Sequence, residues 1–161
     1  MGLAQFNSLS GEEAEVQLYS CFAHHKWAAR VAAGRPYADF GALMAAAETA
    51  WSDLARTDWL EAFTAHPRIG ERGGHEPARS GREQSRVMQA SDPTLAELAA
   101  ENRLYERRFG HVFLIAATGR GAEEILQSLR QRMRNDPVTE LSVAAAEQRK
   151  ITRLRLERLT K

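Results

Sequence analysis

Asp39-Phe-Gly-Ala-Leu-Met-Ala-Ala-Ala-Glu-Thr-Ala-Trp-Ser-Asp-Leu54 is the stretch on which the fold turns. Its residues Phe40, Leu43, Met44, Ala47, Trp51 and Leu54 recur at the intervals of an α-helix and form one apolar stripe across about four turns. Asp39 stands ahead of them as an N-cap acceptor. A stripe of this width is the buried face of a core helix.

The same period extends in both directions. Ala and Leu supply 43 residues against 18 of Val, Ile and Thr, a balance that favours helix over strand. Upstream, Ser10-Gly11-Glu12-Glu13 is a capping-box pattern followed by Ala14, Leu18, Cys21 and Phe22 at helical spacing. Trp27 and Val31 mark a shorter helix that stops at Gly34, with Pro36 beyond it. Downstream, Asp58 is expected to cap a helix holding Trp59, Leu60 and Phe63. That helix ends at His66, because Pro67 disfavours the α conformation in the residue before it.

From Pro67 to Gly81 the chain is rich in Gly and Pro and nearly devoid of apolar residues, which reads as a long loop of the kind that is usually functional or disordered. Helical character resumes over Arg82 to Gln89. Ser91-Asp92-Pro93 then supplies a cap with proline at the first helical position, and Leu95, Leu98, Tyr105 and Phe109 mark the buried face that follows. Val112 to Ala117 is a continuous apolar run; a lone strand would have no sheet to join, so a buried helical segment is expected there. Gly119 and Gly121 precede a helix with Ile125, Leu129 and Met133, which Asn135-Asp136-Pro137 ends. A last helix runs from Pro137 to Leu159. The expectation is an all-α fold, a single compact multi-helix domain over residues 1–161.

Composition narrows the function. A net charge of +1 with 27% charged and 43% hydrophobic residues is ordinary for a globular protein, and no run of like charge tracks a phosphate backbone, so nucleic acid is not an expected partner. Arg dominates the bases, which suits a compact pocket for a small anion. Cys21, the one cysteine, excludes an internal disulfide. No apolar run is long enough to span a membrane, no secretory signal opens the chain, and Leu-Thr-Lys is not a peroxisomal terminus. A cytoplasmic location is therefore expected.

Three places break the rules of a purely structural helix bundle. His66 stands at a helix end facing the glycine-rich loop, where it could interact with the helix dipole or serve as a proton donor and acceptor near neutral pH. Ser80-Gly81-Arg82-Glu83-Gln84 forms a polar loop-to-helix junction, readable as a capping box or as a set of hydrogen-bonding groups for a small polar ligand. Arg155 lies in register with Ile151 and Leu159 on the face that the last helix should bury; it either reaches the surface or needs an anionic partner. His24, His25, His75 and His111 have no comparable context. No metal is expected, since there is no His-Glu-x-x-His, no paired Cys and no histidine pair at i and i+4. Gly70 to Gly74 does not make a dinucleotide turn, and no phosphate loop occurs.

Taken together, Trp59-Leu-Glu-Ala-Phe63, His66-Pro-Arg-Ile-Gly70, Ser80-x-x-Glu-Gln84, Tyr105-Glu106, Phe109-Gly110, Phe113 to Ala117 and Arg153-Leu-Arg-Leu156 resemble the OHCU decarboxylases. The resemblance begins at Phe6-Asn-Ser-Leu-Ser10 and extends to Leu159. That family converts 2-oxo-4-hydroxy-4-carboxy-5-ureidoimidazoline (OHCU) to (S)-allantoin, the last step of urate oxidation, and the same substrate decays unaided to racemic allantoin. The resemblance implies an all-helical, cofactor-free homodimer with neither nucleic acid nor membrane as partner. It assigns His66 as the catalytic histidine and Glu83 as its carboxylate partner, and it places Pro67, Ser80, Gln84, Phe113, Leu114, Ile115, Ala117 and Arg155 around the ligand. Glu71 to Arg79 matches less well, so His75 and Arg79 receive no role. The rival readings are a non-catalytic helical interaction module and a cofactor-free hydrolase or racemase.

Overall fold

The computed structural model describes residues 1–71 and 82–161, so Ser80, His75 and Arg79 lie outside the described residues. Among the described residues there are eight α-helices, one short 3₁₀ turn and no strand, as an all-α fold requires. None of those helices is long and apolar enough to cross a membrane. By its internal contacts the chain divides into two compact units, Met1–Ala62 with Lys150–Lys161, and Phe63–Arg149.

The first unit is built from α1 (Leu3–Ser8), α2 (Gly11–Cys21), α3 (His25–Ala33), α4 (Phe40–Ser52) and α5 (Arg56–Phe63). Phe6, Leu18, Phe22, Trp27, Leu43 and Leu156 form its core. The caps expected from sequence are present: Ser10 Oγ accepts from Glu13 N–H while the Glu13 carboxylate accepts from Ser10 N–H, and Asp39 Oδ1 accepts from Ala42 N–H at 2.8 Å. Those Ser10 hydrogen bonds hold the Glu13 carboxyl below the usual range. Buried Trp27 gives its indole N–H to Ala47 O, tying α3 to α4. Asp58 departs from expectation. It is the third residue of α5 rather than its cap, and its Oδ2 reaches back to accept from Ala55 N–H at 2.8 Å.

Helix α1 was not foreseen, because Gly2 ahead of it offers no side-chain cap. What closes it comes from far along the chain. The Arg35 guanidinium donates to Phe6 O and Leu9 O at 2.8 Å and to Ala32 O at 3.0 Å, so one cation satisfies carbonyls at the ends of α1 and α3. It also lies over the Phe6 ring. Arg35→Met keeps the aliphatic stem and removes the donors; we expect a loss of about 2 kcal/mol, read as a lower urea midpoint at unchanged slope.

The second unit holds a 3₁₀ turn (Val87–Gln89), α6 (Asp92–Phe109), α7 (Ala122–Arg132) and the first part of α8 (Pro137–Leu159). Ile69, Val87, Leu98, Tyr105, Phe113, Ile125 and Leu129 are its core. Asp136 Oδ1 caps α8 through Thr139 N–H. Helix α6 ends on Gly110, whose φ of 79° is the left-handed conformation that glycine adopts without steric cost. Two expectations need correction. Pro93 is the second residue of α6 rather than the first, and Ser91 makes no side-chain cap to the backbone, its hydroxyl meeting Thr94 Oγ1 instead. Of the helix expected over Arg82 to Gln89, the chain forms only a helical turn at its start and the 3₁₀ turn.

The largest correction concerns Val112 to Ala117, which is neither helix nor strand. A buried irregular segment is stable only where its backbone polar groups find partners. Here side chains supply them: Arg132 Nη1 donates to Leu114 O at 2.6 Å, and Glu147 Oε1 accepts from Ala116 N–H at 3.4 Å. Phe113, Leu114, Ile115 and Ala117 are buried.

Candidate functional site

His66 follows α5 by one turn, its N–H donating to Phe63 O at 3.1 Å. The residues after it are held at several points. Arg68 forms a forked pair with Glu106 at 2.7 and 3.1 Å, and that carboxylate, with Glu71, raises the guanidinium pKa. Ile69 is buried, with its carbonyl accepting from Asn102 Nδ2 at 2.9 Å. Gly70 has a φ of 88°, and a Cβ there would come within 3.3 Å of Leu98 Cδ2, so its conformation and its space both call for glycine. Gly70 N–H donates to Gln84 Oε1 at 2.8 Å. The His66-Pro-Arg-Ile-Gly70 stretch is therefore a fixed shelf despite its loop-like composition.

His66 Nε2 lies 2.6 Å from Oε1 of Gln148, a residue of α8 with 0% exposure. The preceding residue, Glu147, holds Ala116 N–H. Adjacent positions of one helix thus fasten both the imidazole and the segment 113–117. Pro67 and Glu83 are half-buried, and Gln84 is buried with its oxygen already engaged by Gly70. Arg155 belongs to the first unit and is buried, at 8% exposure.

Beneath Phe113 and Leu114 sits a charged group that sequence reasoning missed. Arg132 Nε donates to Glu140 Oε1 at 2.5 Å, and Glu140 has 0% exposure. Tyr105 Oη donates to the same oxygen at 2.9 Å, Asn135 Nδ2 to the other at 3.2 Å, and the guanidinium lies 4.4 Å from the centre of the Phe113 ring. Burial first, then the Glu140 charge, push the Tyr105 hydroxyl far above its ordinary pKa and keep it a donor. The signal in the sequence was periodic. Glu140, Ala144, Gln148, Thr152 and Arg155 share one face of α8, so the register that singled out Arg155 also marks Glu140 and Gln148.

One further cluster lies in the first unit, where His24 Nε2 is 3.0 Å from Asp58 and 3.3 Å from Glu61. These ligand atoms lie within 4.8 Å of one another, a spacing a metal could use. A metal-bound imidazole, however, normally donates its second N–H to an acceptor, and buried His24 Nδ1 has none among the described residues. The Ala55 N–H, and then the His24 ring, hold the Asp58 carboxyl below the usual carboxylate range.

A family model described as OHCU decarboxylase matches residues 7–157. "Uric acid degradation bifunctional protein TTL" of Arabidopsis thaliana is 37% identical over 145 residues, covering 86% of this chain, and the chain spans only 45% of that protein's length. The 2-oxo-4-hydroxy-4-carboxy-5-ureidoimidazoline decarboxylase of Amia calva is 32% identical over 164 residues, covering 98% of this chain and 93% of its own. A crystal structure of OHCU decarboxylase in the presence of (S)-allantoin superposes with a TM-score of 0.79 at 38% identity, covering 89% of this chain and 96% of that one. A structure of (S)-allantoin synthase, at 19% identity and a TM-score of 0.77, covers 100% of this chain and 54% of that one and is alike in fold.

Proposed function

The chain belongs to the OHCU decarboxylase family, and from that premise we propose that it is a carboxy-lyase converting OHCU to (S)-allantoin without a cofactor, at a site centred on His66. The observation that carries the reading is the match of residues 7–157 to a decarboxylase family; His66, the histidine this reading makes catalytic, is held by a buried amide.

The substrate supplies its own electron sink. Its carboxylate sits on a ring carbon adjacent to a C=N bond, so breaking the C–CO2 bond sends the electron pair into a new C=C bond while the ring nitrogen takes up a proton. The resulting enol then loses its hydroxyl proton, forms the C=O, and accepts a proton on the neighbouring carbon. That last proton sets the handedness of allantoin. The protein must hold the carboxylate out of the ring plane and deliver the proton to one face. His66 takes the hydroxyl proton and returns one to carbon, with Glu83 as its carboxylate partner.

Pro67, Ser80, Gln84, Phe113, Leu114, Ile115 and Ala117 contact the ligand in this reading, and the amide nitrogen of Gln84, a donor only, serves a substrate oxygen. Arg155 binds a ring or ureido oxygen, since pairing with the departing carboxylate would stabilise the ground state and slow its loss. The protein acts as a cytoplasmic homodimer. The test is CO2 release from freshly generated OHCU. We expect it to rise above the spontaneous rate in proportion to protein; substrate consumption without extra CO2 would point to a hydrolase, and no effect to a binding module.

A further inference from the structure

We infer that Gln148 is a positioning residue that fixes the tautomer of His66, placing the hydrogen on Nε2 and leaving Nδ1 as the nitrogen that exchanges protons with substrate. The inference deepens the reading above and rests on it for the identity of the substrate.

The argument starts from hydrogen-bonding capacity. The Gln148 atom 2.6 Å from His66 Nε2 is the amide oxygen, which can only accept. Nε2 must therefore carry the hydrogen, and in the neutral ring Nδ1 is the basic nitrogen. Gln148 is fully buried on α8, and Glu147 beside it accepts from Ala116 N–H. A part-buried hydrogen bond at this distance outweighs the small intrinsic difference between the two tautomers of imidazole.

The choice of an amide matters as much as its place. A carboxylate at this position would stabilise the imidazolium and make it a poorer acid. A neutral amide fixes the ring without adding charge, so the protonated ring stays acidic enough to return a proton to carbon. Glu83, the carboxylate assigned to His66, is then left to act on the Nδ1 side, and only once that nitrogen is protonated. Glu147, the acidic residue next to Gln148 on α8, has an oxygen engaged by the backbone of Ala116.

The experiment combines long-range ¹H–¹⁵N correlation spectra of histidine-labelled protein with pH–rate profiles. In the wild type, neutral His66 is expected as the Nε2–H tautomer, and in Gln148→Leu that preference is lost, with kcat falling about 10- to 100-fold, the range typical of removing an orienting partner, and KM little changed. In Gln148→Glu the acid limb of the kcat/KM profile is expected to move up by about one to two pH units. An Nδ1–H tautomer in the wild type, an unchanged tautomer in Gln148→Leu, or an unmoved acid limb in Gln148→Glu overturns the inference. The wild-type spectrum is sufficient by itself where a variant fails to fold. It also separates the two ideas, since a protein inactive on OHCU can still show the Nε2–H tautomer, and an active one can lack it.

Discussion

His66→Ala is expected to lower kcat/KM on OHCU by about 10²- to 10⁴-fold, the range over which a positioned acid–base group ordinarily contributes. It is also expected to abolish the handedness of the product. The two effects have one cause. In the proposed mechanism a single imidazole removes the hydroxyl proton and returns a proton to carbon from its own side. Without it, bulk water protonates either face of the intermediate, and the residual product approaches the racemate of the unaided reaction. The fold should persist at a cost of about 1–3 kcal/mol for the buried Gln148 oxygen left without its donor, because the shelf that follows His66 is held by Arg68, Ile69 and Gly70. A His66→Ala protein that turns over at near-normal rate and still yields one enantiomer would remove His66 from the mechanism.

The second large effect concerns the ion pair under segment 113–117. Arg132→Met leaves the Glu140 carboxylate buried without its cation and Leu114 O without its donor, and breaking such a pair typically costs about 3–5 kcal/mol. We expect a fall in Tm of about 10 °C or more, with loss of activity. The double variant Arg132→Met, Glu140→Gln separates the two consequences. Neutralising the carboxylate removes the unpaired buried charge while Gln still accepts from Tyr105 Oη, so much of the stability returns. Leu114 O remains without a partner, so activity does not return with it. Recovery of both together would mean that Arg132 acts on overall stability alone and not on the segment it holds.

What the sequence made legible was local. The Ser10–Glu13 box, the Asp39 cap, the Gly34 stop and the 137–159 helix depend on groups within a turn or so of one another, and each appears at its expected place. What stayed hidden depended on partners distant in the chain. Helix α1 is completed by Arg35, and residues 112–117 escape the helix because Arg132 and Glu147 satisfy a backbone that would otherwise have to coil on itself. Among the candidate residues, His66 and Arg155 were singled out as exceptions to structural rules. Gln148 was equally visible as a polar residue on the buried face of α8, in the same register as Arg155.

The central claim is that this chain directs one proton to one face of a carbon atom. It is tested most directly by circular dichroism of allantoin formed from urate through the upstream enzymes, recorded with and without the protein. The account predicts a dichroic signal of (S)-allantoin that grows with protein concentration and vanishes for His66→Ala. Racemic allantoin at every concentration of the wild-type protein would contradict it.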